Sequence, residues 1–507
     1  MNLKTKAIIS LLSLPVMIAA SACSQQDPLE AKIVAKMGEY ETARALMIER
    51  NYLSTNPITR EEWEALFISN PDGPFSETDF EQLQERQTSI ILQSKTIAEE
   101  NSVIDLNLLR DDIPALADFC YQIPKGGMLH VHPYGLFTRE IVTEILTEYN
   151  PVIEQEYFIT TVKNQNQVLY DHEIVALRSL PGSSAFLDLT PAEQSLFIDF
   201  FFLPTDPVSH DFTRFDAIFA FVIWMVEDDF LNEKMERLYL DFLHRAADHG
   251  ISYIEFTNGY PASPASIELL TSWSAKFLEE TGVVVRWNLG MVRFLPGEVI
   301  ADYFKSWNAL LAENPTDAIV GIDMYAIERG NPALEKAQHS YGYLVGYNNE
   351  HENHPLDMTM HSGEMGDPRN VRDALIMGVS RLGHGVLLDQ DPIAIEYVRR
   401  HNIGIEMNIN SNHQLSVHDK NKAPHPFLKF LRLGIPVSLS TDNDGIFDTN
   451  RSKECIAAVS TTDVSYNELR ALSYNSITTS FASNATKQVL INDLNSRFID
   501  FEKEYAN

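Results

Sequence analysis

From residue 126 onward, short apolar or β-branched runs alternate with amphipathic stretches of helical spacing. The runs predict strands at 128–132, 252–256, 283–289, 318–323, 357–361, 380–384, 404–408 and 436–441, with helices such as 370–377 and 392–401 between the later ones. Near-continuous apolar strands joined by helix-length crossovers imply a parallel sheet covered on both faces. Eight such units predict an α/β fold, a closed (β/α)8 TIM barrel, spanning about 120–500. The gap between the first two strands is too long for one helix. Residues 150–235, aromatic- and turn-rich with Asp199-Phe-Phe-Phe202 and Trp224, are expected to form an insertion after the first barrel strand.

Ahead of the barrel, 24–119 read as a helical extension. Ile33, Met37, Tyr40, Ala43 and Met47 recur at helical spacing in 29–52. Pro57 and Asn70-Pro-Asp-Gly-Pro74 interrupt the pattern, and 80–98 and 106–116 read as further helices. Nothing catalytic stands out there, so packing or oligomerisation is the default reading. No internal repeat or coiled-coil heptad is present.

The first residues read as an export signal over 1–22. Lys4 and Lys6 precede an apolar run at 7–20, and Ala20, Ser21 and Ala22 lead to Cys23. A Cys directly after small residues resembles a bacterial lipoprotein box, with Cys23 as the acylated residue. A lipid-tethered protein facing the periplasm or cell surface follows, with ordinary secretion as the alternative. The run is shorter than the roughly 20 residues a bilayer span needs. Two cysteines then remain, Cys120 and Cys455, too few and too distant for a thiolate metal site. They read either as a pair in an oxidising compartment or as two buried thiols. Lys+Arg number 39 against 71 Asp+Glu, a formal charge of -32. Such a surface repels phosphate, so a nucleic-acid partner is excluded and membrane contact is left to the lipid anchor.

Candidate chemistry gathers at the C-terminal strand ends, where barrel enzymes place their sites. His130 and His132 are an H-x-H at the end of the first strand, and strand alternation puts both on one face. His361 ends the fifth strand, His384 the sixth, and Asp442 follows the eighth. An isolated histidine at a strand end is commonly structural. Five such groups at four strand ends point to a metal site, and imidazoles with a carboxylate suit Zn²⁺, one ion per chain.

The motifs Pro124-Lys-Gly-Gly-Met-Leu-His-Val-His132, His361-Ser-Gly-Glu364, Arg381-Leu-Gly-His-Gly385 and Ser440-Thr-Asp442 resemble those of the adenosine deaminases of the amidohydrolase superfamily. Gly321-Ile-Asp-Met324 and Asn408-Ile-Asn-Ser-Asn412 fall in the same order, and the resemblance spans roughly 120–490. With its export signal, helical extension and insertion, the chain is most similar to the secreted growth-factor branch of that family, which implies a homodimer built on the extension.

The resemblance implies hydrolytic deamination of adenosine or deoxyadenosine. His130, His132, His361 and Asp442 would hold Zn²⁺. His384 would sit beside the attacking water, and Asp442 would accept a hydrogen bond from it. Glu364, kept protonated by a dry pocket, would donate to purine N1. Asp323 would accept from a ligand histidine or bind a turn. Gly363 and the Ala326 backbone N–H are implied substrate contacts. Two positions depart from the family pattern. Asn443 stands where a second Asp contacts N7, and Tyr134 stands where an Asp contacts ribose. These departures leave open a modified nucleoside or another aminated heterocycle as substrate. A nucleoside-binding surface protein without catalysis is the reading from a different class.

Overall fold

The computed structural model describes residues 27–52, 56–68, 75–164, 167–203, 212–226, 233–350, 356–419 and 421–505. The export signal and Cys23 lie outside the described residues. Among the described residues, no helix is long and apolar enough to cross a membrane.

Eight parallel strands form the core: β1 (Gly126–Val131), β2 (Ile251–Asn258), β3 (Val284–Val292), β4 (Ile319–Tyr325), β5 (Asp357–Ser362), β6 (Arg381–His384), β7 (Gly404–Met407) and β8 (Val437–Leu439). They pair in sequence order, and each is buried on both faces by helices outside and side chains inside. A parallel bridge between Val131 and Asp442 brings the last strand back to the first. There the His132 N–H donates to the Asp442 carbonyl at 2.9 Å, and the Asp442 N–H donates to the His130 carbonyl at 3.2 Å. The seam that closes this (β/α)8 barrel therefore runs through three of the candidate ligands.

The extension is welded to the outer helix ring. α1 (Pro28–Asn51) starts at Asp27, whose carboxylate caps Leu29 N at 3.0 Å. Its Arg44 donates to the carbonyls of Leu375 and Ile376 and to Tyr397 Oη. Trp63 is fully buried and donates its indole N–H to Asp373 at 2.9 Å. α2 (Glu77–Glu100) opens with a capping box between Ser76 and Asp79.

The helix expected over 106–116 is instead two pieces. A single 3₁₀ turn covers Leu106–Leu108, and α3 (Ile113–Gln122) follows. Asp112 accepts from Ala115 N and Pro114 sits in the first helical turn, so this sequence starts a helix instead of continuing one. The segment between β1 and β2 is more helical than its turn-rich composition suggests. It contains a two-stranded antiparallel ribbon (Val152–Glu154 with Ser183–Ala185) and helices that include α4 (Phe212–Val226) and α5 (Glu233–Asp248). Phe215 of α4 stacks on Phe447, beside the C-terminal end of the barrel.

Candidate metal centre

β1 delivers both histidines of the H-x-H to the barrel mouth, and the β8 seam delivers Asp442 beside them. His132 Nε2 lies 3.1 Å from His361 Nε2 and 3.5 Å from Asp442 Oδ1, and His130 Nε2 lies 3.7 Å from the same oxygen. Donors around a tetrahedral ion with bonds near 2.1 Å stand about 3.4 Å apart. His130, His132 and Asp442 form one group able to hold an ion; His130, His361 and His384 form another. His130 Nε2 is buried with no hydrogen-bond partner, an arrangement that fits a metal ligand and is costly for an idle nitrogen.

Each of these imidazoles is held from behind. His130 Nδ1 is 2.9 Å from Glu406 Oε2, and His361 Nδ1 is 3.0 Å from Asp323 Oδ2. With Nδ1–H donated to a carboxylate, the Nε2 lone pair faces the centre. His132 hydrogen-bonds the backbone of Thr257. Asp442 Oδ2 accepts from Ser411 Oγ at 2.7 Å. Burial, with the neighbouring imidazoles, holds His132 and His384 well below the usual histidine range, which suits neutral donors. Burial pushes the Asp442 carboxyl up, a penalty that a bound cation would reverse.

His384 and Asp442 both have left-handed backbones, with φ of 62° and 64°. Such strain in residues with side chains gathers at functional sites. His384 Nε2 faces Glu364 Oε1 at 3.6 Å, and His384 Nδ1 is 2.9 Å from Asn412 Nδ2. Asn412 Oδ1 is in turn 3.1 Å from His425 Nε2.

Glu364 is buried, and its carboxyl is pushed well above the usual range. Burial is the main cause, followed by the charges of Asp442, Glu328 and Asp216. The loop that carries it is pinned by Glu328. That carboxylate accepts from the backbone N–H groups of Gly363 (3.1 Å), Glu364 (2.8 Å) and Met365 (3.2 Å) and from Asn370 Nδ2 (3.0 Å). Arg293, fully buried, lies 3.4 Å from Glu328. Gly363 has φ +78°, and a Cβ there would meet Val371 at 2.5 Å, so only glycine fits this turn.

The remaining expected contacts line the same mouth. Ala326 has φ 78°, a position where glycine is the relaxed residue. Tyr134 is half-buried and hydrogen-bonds Asn258 at the end of β2. Asn443 donates from Nδ2 to Asp442 Oδ1 at 2.7 Å, which leaves its second amide hydrogen for a ligand. Asp444 turns away from the centre to pair with Arg245 of α5 at 3.1 Å.

Sequence reading missed Glu406, Glu328, Arg293, Asn412 as a partner of His384, His425 and Asp216. Glu406 carried a signal: a lone acid inside the apolar strand 404–407 is costly unless something buried needs it. Asp216 lies in the insertion, where no motif pointed to the site.

A parallel eight-stranded barrel with a donor set able to hold a metal ion at its C-terminal mouth is the arrangement of barrel hydrolases of the amidohydrolase kind. Comparison with known proteins narrows the class. The adenosine deaminase family model matches residues 205–497. The adenosine deaminase of Enterococcus faecalis is 31% identical over 144 residues, 28% of this chain and 42% of that protein. That of Serratia proteamaculans is 28% identical over 267 residues, 51% of this chain and 76% of that protein. A zinc-bound amidohydrolase structure from Burkholderia ambifaria superposes with a TM-score of 0.53 at 15% identity, covering 77% of this chain and 94% of that one. The chain belongs to the adenosine deaminase family.

Proposed function

We propose that this chain is a Zn²⁺-dependent hydrolase that converts adenosine or deoxyadenosine and water into inosine or deoxyinosine and ammonia. What supports the reading is the grouping of His130, His132 and Asp442, with His361 Nε2 3.1 Å from His132 Nε2, near a Glu364 carboxyl that burial pushes well above its usual range. The donor set suits zinc, and the Burkholderia ambifaria relative was crystallised with that ion. Bound there, zinc supplies Lewis acidity that makes water a competent nucleophile near neutral pH.

The chain's own residues do the rest. Because its Nδ1 accepts from Asn412 Nδ2, His384 carries its hydrogen on Nε2, which points into the space in front of Glu364 and donates to the attacking oxygen, while the Asp442 carboxylate takes the water's proton. Glu364 donates its carboxyl proton to purine N1, so that C6 can accept the oxygen. Asp442 passes the water's proton to the C6 amine, the C6–N bond breaks and ammonia leaves, and the hydroxyl proton returns to Glu364 as the carbonyl of the product forms. Asn443 offers its second amide hydrogen to N7. Ala326 presents its backbone N–H, and Tyr134 borders the sugar side. Asp216 of α4 adds negative potential near Glu364, so the segment between β1 and β2 takes part in tuning the acid.

A modified or differently aminated nucleoside is the second reading. It is favoured by Asn443 and Tyr134 standing where the family carries carboxylates. The apolar leader and Cys23 support export, with a lipid anchor at Cys23. The test is ammonia release by the zinc-loaded protein over a nucleoside panel. Release from adenosine supports the first reading, and release from modified nucleosides alone supports the second. Zinc binding without release from any member points to a surface protein that binds without catalysis.

A further inference from the structure

Cys120 lies on α3, in the segment that leads into the barrel. Cys455 lies on α7 (Arg451–Thr461), behind the metal centre. They are 335 positions apart in sequence, both are buried, and their Sγ atoms stand 2.6 Å apart. Two thiols so close, on helices packed against each other, need only a small rotamer adjustment to reach bonding geometry. We propose that Cys120 and Cys455 are a disulfide-forming pair that staples α3 to the helix supporting the candidate site.

The surroundings favour this reaction over two inert thiols. Lys125 is buried, has no carboxylate partner among the described residues, and donates to the carbonyls of Tyr121 and Ile123, each at 2.9 Å. Burial pushes the Cys120 thiol up and Lys125 down to about 7, while the hydrogen bond from Cys120, ahead of Lys125 and Arg451, draws the Cys455 thiol down. The oxidant is a disulfide donor, either a small-molecule disulfide or a disulfide-bearing oxidoreductase. One of the two cysteines, as its thiolate, attacks one donor sulfur and releases the other as a thiolate. The other cysteine, after losing its proton to water, attacks the newly bonded cysteine sulfur and releases the second donor thiolate. Two electrons pass to the donor, and two protons go to solvent. Because both sulfurs are buried in the folded chain, the exchange belongs to folding, before α3 docks.

The staple bears on the site through the next residue. Glu454 accepts from the backbone N–H groups of Ile409 (2.9 Å) and Asn410 (3.3 Å) and from Asn410 Nδ2 (2.8 Å). It thereby fixes α6 (Ile409–Gln414), which carries Asn412 against His384. The crosslink closes a very long loop in the unfolded chain, so its expected effect is on stability.

The deciding experiment is non-reducing peptide mapping of the full-length chain, refolded with an excess of oxidised glutathione over reduced and alkylated under denaturing conditions before digestion with trypsin. The expected product is peptide 111–125 joined to 454–470, two hydrogens lighter than the sum of the two. Alkylation of both Cys120 and Cys455, or linkage of either to Cys23, would overturn the proposal. A second readout is the unfolding midpoint with and without a reductant. Reduction of the wild type should lower it by roughly 4 °C, and the double variant Cys120→Ser/Cys455→Ser should show no reductant effect. A crosslinked protein whose midpoint ignores reductant would overturn the stapling role.

Discussion

Replacing Glu406 by glutamine should weaken metal binding without dismantling the barrel. Glu406 is buried, accepts from His130 Nδ1 and from Thr359 Oγ1 at 2.9 Å each, and shares Arg381 with Glu255. The glutamine keeps the volume, and Arg381 keeps Glu255 as its counter-charge, so the buried guanidinium is not stranded. What is lost is the negative charge behind His130, which fixes the ring and raises the basicity of Nε2. Loss of such a partner typically weakens metal affinity 10–100-fold, or about 1.4–2.7 kcal/mol. Equilibrium competition for zinc against a chelator of known affinity measures the change. Glu255→Gln is the matched control: it removes the other carboxylate on Arg381, and Glu255 makes no contact with His130 among the hydrogen bonds and ion pairs of the described residues. The reasoning is refuted if Glu406→Gln binds zinc as tightly as the wild type. It is equally refuted if Glu255→Gln loses as much.

Glu364→Gln should keep zinc and lose turnover by about 10²–10⁴-fold, because the proton donor goes while the ligands stay; unchanged kcat would remove Glu364 from the mechanism. Asn443→Ala should lower kcat/KM for adenosine by roughly tenfold, the worth of one hydrogen bond, but leave 7-deazaadenosine unaffected because that analogue has no N7 acceptor; equal losses on both substrates would exclude the N7 contact. His425→Ala should lower kcat by roughly tenfold with KM little changed, by loosening Asn412 behind His384, and His425→Gln should recover part of that loss. The Glu454 carboxyl is pushed up to about 7 by burial from a usual 4.5. Its folded value is raised, so its favourable contribution is fully present below pH 4.5 and is lost as pH rises through 7. Glu454→Gln carries a pH-independent cost but no titration. Its stability relative to wild type should therefore rise by up to about 3 kcal/mol between pH 4 and pH 8 in denaturant unfolding, and a flat difference would contradict the assignment.

The barrel was legible because its strands are buried on both faces and so read as apolar runs, which exposed loops cannot imitate. All eight predicted runs overlap the observed strands. Their ends differ by a few residues, as at β3, which continues to Val292 past the expected stop at 289. The histidines were legible because each sits at a strand end, where the fold itself dictates a direction. Glu328 was not, since its role lies in accepting backbone N–H groups from a loop 35 residues away, and nothing local marks such an acceptor. Asp216 was hidden for a related reason: its place near Glu364 depends on how α4 packs over the mouth, which helical periodicity leaves open. The contact of Cys120 with Cys455 likewise needed three dimensions, since it joins two helices at opposite ends of the barrel sequence.

The most direct measurement is ammonia release from adenosine, deoxyadenosine and related 6-aminopurine nucleosides by the purified full-length chain, first stripped of metal and then supplied with one equivalent of zinc. A zinc-dependent nucleoside deaminase releases no ammonia when stripped and regains release with zinc, and that is the predicted result. Silence across the whole panel from protein carrying a full equivalent of zinc would contradict it.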